Sequence, residues 1–187
     1  MEMADDPAAR PLILLDACVV INLYATRRME EMLRTTTSST GVVDAVFSEA
    51  GHVRRGGDGD DADELEEINL RPMVDSGLLI QVSPTAAELD AYVEFTLQLD
   101  DGEAMTLAVA LARGATVATD EKKAIRVAAN RLPLVSSLQL IKAWSDALGL
   151  DTATVGTVLR DLRQRGRYIP GNGHLLKGWW QSMLGEG

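Results

Sequence analysis

Leu12-Ile13-Leu14-Leu15-Asp16 is a run of four aliphatic side chains that ends on a carboxylate, and about a hundred residues later Ala115-Thr116-Val117-Ala118-Thr119-Asp120 repeats the arrangement. A short aliphatic run bounded by turn signals reads as a strand buried on both faces of a parallel sheet, and open α/β sheets bind their ligands beyond the carboxyl ends of their strands. Two such strands side by side would bring Asp16 and Asp120 together. Crowded carboxylates resist ionising together unless a cation neutralises them, so the pair points to a hard metal held by oxygen.

Working outward, Cys18 to Tyr24 is apolar almost all round, as suits a helix packed beneath the sheet. Arg27 to Arg34 is a charged helical segment, and Thr35 to Gly41, rich in Thr and Ser, reads as a connector. Val43, Val46, Phe47 and Ala50 recur at helical spacing, which predicts an amphipathic helix over Val42 to Ala50 with Glu49 beside its apolar stripe. Arg54 to Asp63, with Gly56-Gly57 and four acids, offers no apolar anchor and reads as a mobile surface loop. A strand follows at Leu78 to Val82, then a helix from Thr85 to Leu97 with Pro84 at its start. Asp100-Asp101-Gly102 punctuates the chain before a helix over Glu103 to Arg113, closed by Gly114. After the strand Ala115 to Thr119 come a basic helix from Glu121 to Asn130, a short strand at Leu132 to Val135, and helices over Ser137 to Leu148 and Thr152 to Arg165. Strands separated by helices throughout predict a doubly wound α/β fold, with a mostly parallel sheet of about four to five strands and helices on both faces.

Composition bounds the rest. A chain of 187 residues, 46% hydrophobic, can bury one substantial core and is short for two. We expect a flexible N-terminus over residues 1–10, one domain over 11–150, and a helical extension of the same domain over 151–187. The best apolar stretch, Leu12 to Tyr24, is broken at Asp16 and Asn22, which argues against a membrane span. A single cysteine and no visible signal segment make a cytoplasmic protein the expectation. The net charge of −10 disfavours a broad basic nucleic-acid surface, yet a small site can take an anionic substrate if metal ions supply positive charge. Two His and one Cys are too few for structural zinc, and the Asp58-Gly59-Asp60 run fails as a calcium loop because Asp63 and Asn69 stand where Gly and Glu are needed. No phosphate-binding glycine motif is present. An aspartyl-nucleophile phosphatase would need a second Asp at the position of Cys18.

Asp16 through Asn22, Val46-Phe47-Ser48-Glu49, Asp101-Gly102-Glu103-Ala104 through Ala108, and Ala118-Thr119-Asp120-Glu121 together resemble the PIN-domain nuclease family, most of all its VapC-like bacterial members, over roughly residues 11 to 150. The resemblance implies a Mg²⁺- or Mn²⁺-dependent endoribonuclease, frequently the toxin of a toxin–antitoxin pair, whose products carry 5′-phosphate and 3′-hydroxyl ends. It assigns Asp16, Glu49, Glu103 and Asp120 to the acidic cluster, with Asp16, Glu103 and Asp120 on the metal and Asn22, Thr119 and Glu121 as auxiliary groups. RNA, an antitoxin protein and a second copy of the chain are the implied partners. Cys18 departs from the pattern, since many relatives carry Ser or Thr near the first acid.

Other readings stand beside these. A non-catalytic PIN-like module that binds RNA or protein is the alternative function. Asp16 and Asp120 could be helix caps, and Asp101 could cap the helix that carries Glu103. Leu23, Tyr24, Met29, Met32 and Leu33 either receive an antitoxin segment or pack their helices on the core. Lys122, Lys123, Arg126 and Arg131 form a solvated basic face or guide an RNA backbone, while Trp179-Trp180 reads as packing or a dimer contact ahead of a base-stacking pair.

Overall fold

The structure, a computed structural model, describes residues 10–57 and 61–186. The N-terminal expectation for residues 1–10 therefore falls almost wholly outside the described residues. Five strands form one parallel sheet: β1 (Leu12–Leu15), β2 (Ser39–Val43), β5 (Ile80–Val82), β6 (Thr116–Ala118) and β7 (Leu134–Val135), in the order β5-β2-β1-β6-β7. The fold is α/β, as the alternation of runs predicts. From β1 the chain moves outward through β2 to the edge at β5, then returns to place β6 on the other side of β1. The carboxyl ends of β1 and β6 thus flank the point where the strand order reverses, which is where open α/β sheets leave a crevice.

The helices are α1 (Ala17–Ala25), α2 (Met29–Thr35), α3 (Asp44–Glu49), α4 (Arg71–Asp75), α5 (Leu89–Thr96), α6 (Asp101–Arg113), α7 (Lys122–Ala128), α8 (Ser137–Leu148), α9 (Thr152–Arg165) and α10 (Lys177–Leu184). A capping box between Thr85 and Glu88 starts a short 3₁₀ turn, Ala86–Glu88, that runs into α5. Helix α6 is buried along Leu107 to Ala110 and ends at Gly114 in the left-handed conformation (φ 62°), so its small side chains let it lie close to the sheet. Leu159 and Leu162 of α9 and Trp180 of α10 join the same core as Leu14, Val42 and Val117. Met29, Met32 and Leu33 are buried in it too. Among the described residues, no helix is long and apolar enough to cross a membrane.

One segment departs from the sequence reading, and another is flanked by strands that it did not include. Ser39 to Val43, read as connector and helix start, is a strand in the sheet's interior, and the helix that follows has six residues. Thr40, Val42 and Val43 are β-branched and buried, and Thr40 Oγ1 donates to the Leu78 carbonyl at 3.0 Å. A Cβ at Gly41 would stand 3.1 Å from the Ile80 carbonyl, so glycine permits the close approach of β5. The helical spacing of Val43 and Val46 was accidental, because Val43 belongs to the strand and Val46 to α3.

The loop expected from Arg54 to Asp63 joins β3 (His52–Arg54) to β4 (Leu65–Glu67), which pair antiparallel as a hairpin that the sequence reading did not include. Its anchor is charged rather than apolar. Arg165, 3% exposed, donates from Nε to the Arg54 carbonyl, from Nη1 to the Ala25 carbonyl and from Nη2 to Glu66 Oε2 at 2.8 Å. The tip at residues 58–60, and with it the rejected calcium-loop run, lies outside the described residues.

Candidate active site

Asp16 leaves β1 and caps α1, its Oδ1 accepting from the Ala17 N–H at 2.8 Å. Its other oxygen accepts from Thr119 Oγ1 at 2.8 Å and from Cys18 Sγ at 3.3 Å. The carboxyl is 4% exposed, and burial raises its pKa against the pull of these hydrogen bonds. Asp16 therefore caps α1 and at the same time meets Thr119 from the neighbouring strand end.

Register decides which neighbour Asp16 meets. Leu15 stands opposite Ala118, and the Asp16 N–H donates to the Ala118 carbonyl, so Thr119 comes beside Asp16 and Asp120 follows one step on. Asp120 Oδ2 accepts from Asn22 Nδ2 at 3.0 Å, the Ser137 N–H reaches its two oxygens at 3.3 and 3.4 Å, and the Tyr168 hydroxyl lies 3.5 Å from Oδ1. Asn22 also donates to Ser137 Oγ, tying α1, Asp120 and the start of α8 into one polar network. Glu121, not Asp120, caps α7, and its own N–H donates to Thr119 Oγ1.

Cys18 bridges the two strand ends. Its thiol donates to Asp16 Oδ2 and its sulfur accepts from the Asp120 N–H at 3.4 Å. Burial and the adjacent Asp16 charge push the thiol pKa up, which keeps the proton on sulfur. Both contacts are ones a hydroxyl could make.

Glu103 stands half-buried in the first turn of α6, and its pKa is pushed up to about 7 by burial first, then by the charges of Asp100, Asp16 and Glu121. Glu49 ends α3 and is exposed, yet burial of its carboxyl and the charges of Asp100, Asp16 and Asp101 raise it as well. A Cβ added to Gly102 would lie 2.1 Å from Glu49 Oε2. Glycine at this place is what lets the Glu49 carboxylate rest on the first turn of α6.

Sequence reasoning missed Asp100. It caps α6, accepting the Glu103 N–H at 3.0 Å, and its charge acts on Asp16, Glu49 and Glu103. The cap expected at Asp101 is thereby corrected: Asp101 lies inside the first turn and accepts from the Tyr92 hydroxyl. The Asp-x-x-Glu spacing from Asp100 to Glu103, an acidic counterpart of the capping box, was a usable signal.

Asp16, Glu49, Glu103 and Asp100 thus act on one another across the crevice, with Asp120 joined to them through Thr119 and Cys18. Among the described residues, none of the ion pairs involves these acids or Glu121. Nor do any three Asp, Glu, His or Cys side chains among the described residues close into a single metal shell as placed. The donor chemistry, crowded hard oxygens without a cationic partner, fits a divalent cation.

Residues 12–173 match the family model DUF3368, described as a PIN domain. The chain belongs to the PIN-domain family. No curated protein and no solved structure matches it. PIN domains are generally nucleases that use divalent metals, and the match runs through α9 into the segment that follows it.

Proposed function

We propose that this PIN domain is a Mg²⁺- or Mn²⁺-dependent endoribonuclease, with Asp16, Glu103 and Asp120 as the residues that would hold the metal and Glu49 completing the set directly or through water. The observation that carries the reading is the group of acids without ion-pair partners at the switch point between β1 and β6, where Glu103 is pushed up to about 7. A bound divalent ion would neutralise a phosphodiester oxygen and activate a water molecule. The protein's own residues hold the acids in place: Thr119 and Cys18 fix one oxygen of Asp16, while Asn22 and the Ser137 N–H fix Asp120. Glu121, set by Thr119, adds negative charge at Glu103.

Family membership and the net charge of −10 support a toxin role, in which a basic antitoxin segment is the complementary partner and the cytoplasm the place of action. A homodimer belongs to the same reading. A non-catalytic PIN-like module that binds RNA or protein is favoured by one observation, the failure of any three ligands among the described residues to close on a metal as placed.

Incubation of the purified protein with single-stranded RNA and Mn²⁺ separates the two. We expect cleavage that a chelator abolishes and that Asp16→Asn lowers by several orders of magnitude with unchanged circular dichroism. RNA binding without cleavage, in Mg²⁺ and in Mn²⁺, would establish the binding module instead. Expression alone in a bacterial host should arrest growth, and Asp16→Asn should relieve the arrest if the protein is a toxin.

A further inference from the structure

Beside Asp120 the crevice opens into a cleft of about 620 Å³, lined by the segment 168–175 between α9 and α10, by Lys122 and Ile125 of α7 and by the start of α8. Thr119 and Asp120 line it too, so it is continuous with the acids. Its size lies within the roughly 300–1,000 Å³ typical of sites that take small molecules, a class to which one nucleotide belongs. The segment is pinned in place. His174 Nδ1 accepts the Leu176 N–H and its Nε2 lies 3.0 Å from Ser136 Oγ, Lys177 Nζ donates to the Pro170 carbonyl at 3.0 Å, and the Tyr168 ring meets Trp180 edge-on with centroids 5.9 Å apart.

Apolar side chains nonetheless stand in water along this cleft: Ile125 is 40% exposed, Ile169 62% and Leu175 86%. Apolar surface gathered in a concave place marks a binding site. An RNA strand whose phosphodiester rests at the acids carries both phosphates and bases past the cleft. Phosphates are poorly served there, because Asp120 is acidic and Lys122 is the one Lys or Arg in the lining. A base has the flat apolar face that these side chains lack a partner for. Its edge meets donors and acceptors together, from Lys122, the Asn172 amide and the Tyr168 hydroxyl, so no single base is singled out.

We infer that this cleft seats one unstacked nucleobase of the RNA, that of a nucleotide flanking the scissile phosphodiester, whatever the base. The inference deepens the nuclease reading above and rests on it. Single-stranded RNA can splay a base from the stack, and apolar side chains hold such a base by its faces. Ile169 and Leu175, mostly exposed in the free protein, are the side chains that would hold it.

RNAs that carry one abasic nucleotide at each position in turn around a mapped cut site, cleaved in Mn²⁺, test the inference, because they lose a base and keep every phosphate. In wild-type protein the abasic nucleotide should raise KM on the order of tenfold at one position beside the cut, the scale of a single base contact, and should matter little farther away. The loss falls on KM, since the seat holds the base alike before and during the reaction. Ile169→Ser combined with Leu175→Ser should raise KM for intact RNA to a similar extent and remove the sensitivity to the abasic nucleotide, as two changes to one contact do not add. Leu97→Ser, which removes a side chain 82% exposed at the end of α5, should behave as wild type. All these side chains are exposed, so circular dichroism should be unchanged; where the double variant fails to fold, Leu175→Ser alone takes its place. Indifference of KM to every abasic position, or full abasic sensitivity in the variant, overturns the seat and leaves the nuclease standing. A wild-type KM for intact RNA in the variant does the same and gives the cleft to a protein partner. A wild-type protein that cuts no RNA sinks both.

Discussion

Glu88 and Glu103 meet opposite ends of the same helix and have opposite fates. Glu88 receives Arg113, in the last turn of α6, whose guanidinium donates to both of its oxygens at 2.7 and 3.1 Å, and its pKa falls to about 2. Glu103, in the first turn, meets burial and the charges of Asp100, Asp16 and Glu121, and rises to about 7. Burial pushes both upward, so the sign of the neighbours sets the direction. The protein neutralises the carboxylate it uses for packing. At the crevice it collects negative charge that none of the ion pairs among the described residues neutralises, which is how a candidate binding site differs from a structural ion pair.

The sharpest way to break the acid end is Gly102→Ala. The new Cβ would stand 2.1 Å from Glu49 Oε2 and 2.8 Å from Cδ, and Glu49 is an exposed, flexible side chain, so it should swing out rather than unseat α6. Alanine suits a helix better than glycine by up to about 1 kcal/mol. RNA cleavage should fall on the order of a hundredfold, the cost of misplacing a positioned group, while the melting temperature holds or rises. Full activity in this variant would remove Glu49 from the site.

The packing end should answer in the opposite manner. Arg113→Met leaves Glu88, 6% exposed, without its cation. Breaking a buried pair costs about 3–5 kcal/mol, and because Arg113 itself is one-third exposed we expect about 2 kcal/mol in urea denaturation at pH 7, with RNA cleavage unchanged. A depressed pKa contributes stability that is complete above the ordinary value of 4.5 and is lost as pH falls through about 2. The gap between wild type and variant should therefore narrow below pH 4.5. A gap that persists at pH 2 would mean that Arg113 stabilises the fold by packing.

Much of the fold was legible because its signals are local. The aliphatic runs before Asp16 and Asp120, the apolar face of α6 with Gly114 at its end, and the spans of α8 and α9 follow from periodicity and caps that lie within a few residues of one another. What failed depends on distant partners. Ser39 to Val43 becomes a strand because β1 and β5 flank it, and the hairpin of β3 and β4 is held by Arg165, more than a hundred residues from Arg54. Within the site, the residue types at Asp16, Glu49, Glu103 and Asp120 could be chosen from sequence, but their aim could not. Strand register sets Thr119 against Asp16, and Asn22 and the Ser137 N–H, from two other elements, fix the Asp120 carboxylate.

The gentlest probe is pH, and it sharpens the comparison because the two carboxylates titrate in separate windows. A carboxyl whose folded pKa is raised binds its proton more tightly in the folded state, so its contribution is greatest below the ordinary 4.5 and is lost as pH rises through about 7. Asp16 and Glu49 are shifted in the same direction and add to the trend. Metal-free protein should thus melt progressively lower as pH is raised from 5 to 8, a range in which Glu88 stays ionised and silent. Glu103→Gln should flatten that slope by a few degrees, since each kcal/mol moves the midpoint of a chain this size by about 2–4 °C. Mn²⁺ at pH 8 should raise the wild-type midpoint, by about 2.7 kcal/mol at a hundredfold over its dissociation constant, and raise that of Glu103→Gln less. A slope identical in both proteins would show that Glu103 does not feel the other acids, and the contrast with Glu88 would reduce to one ion pair.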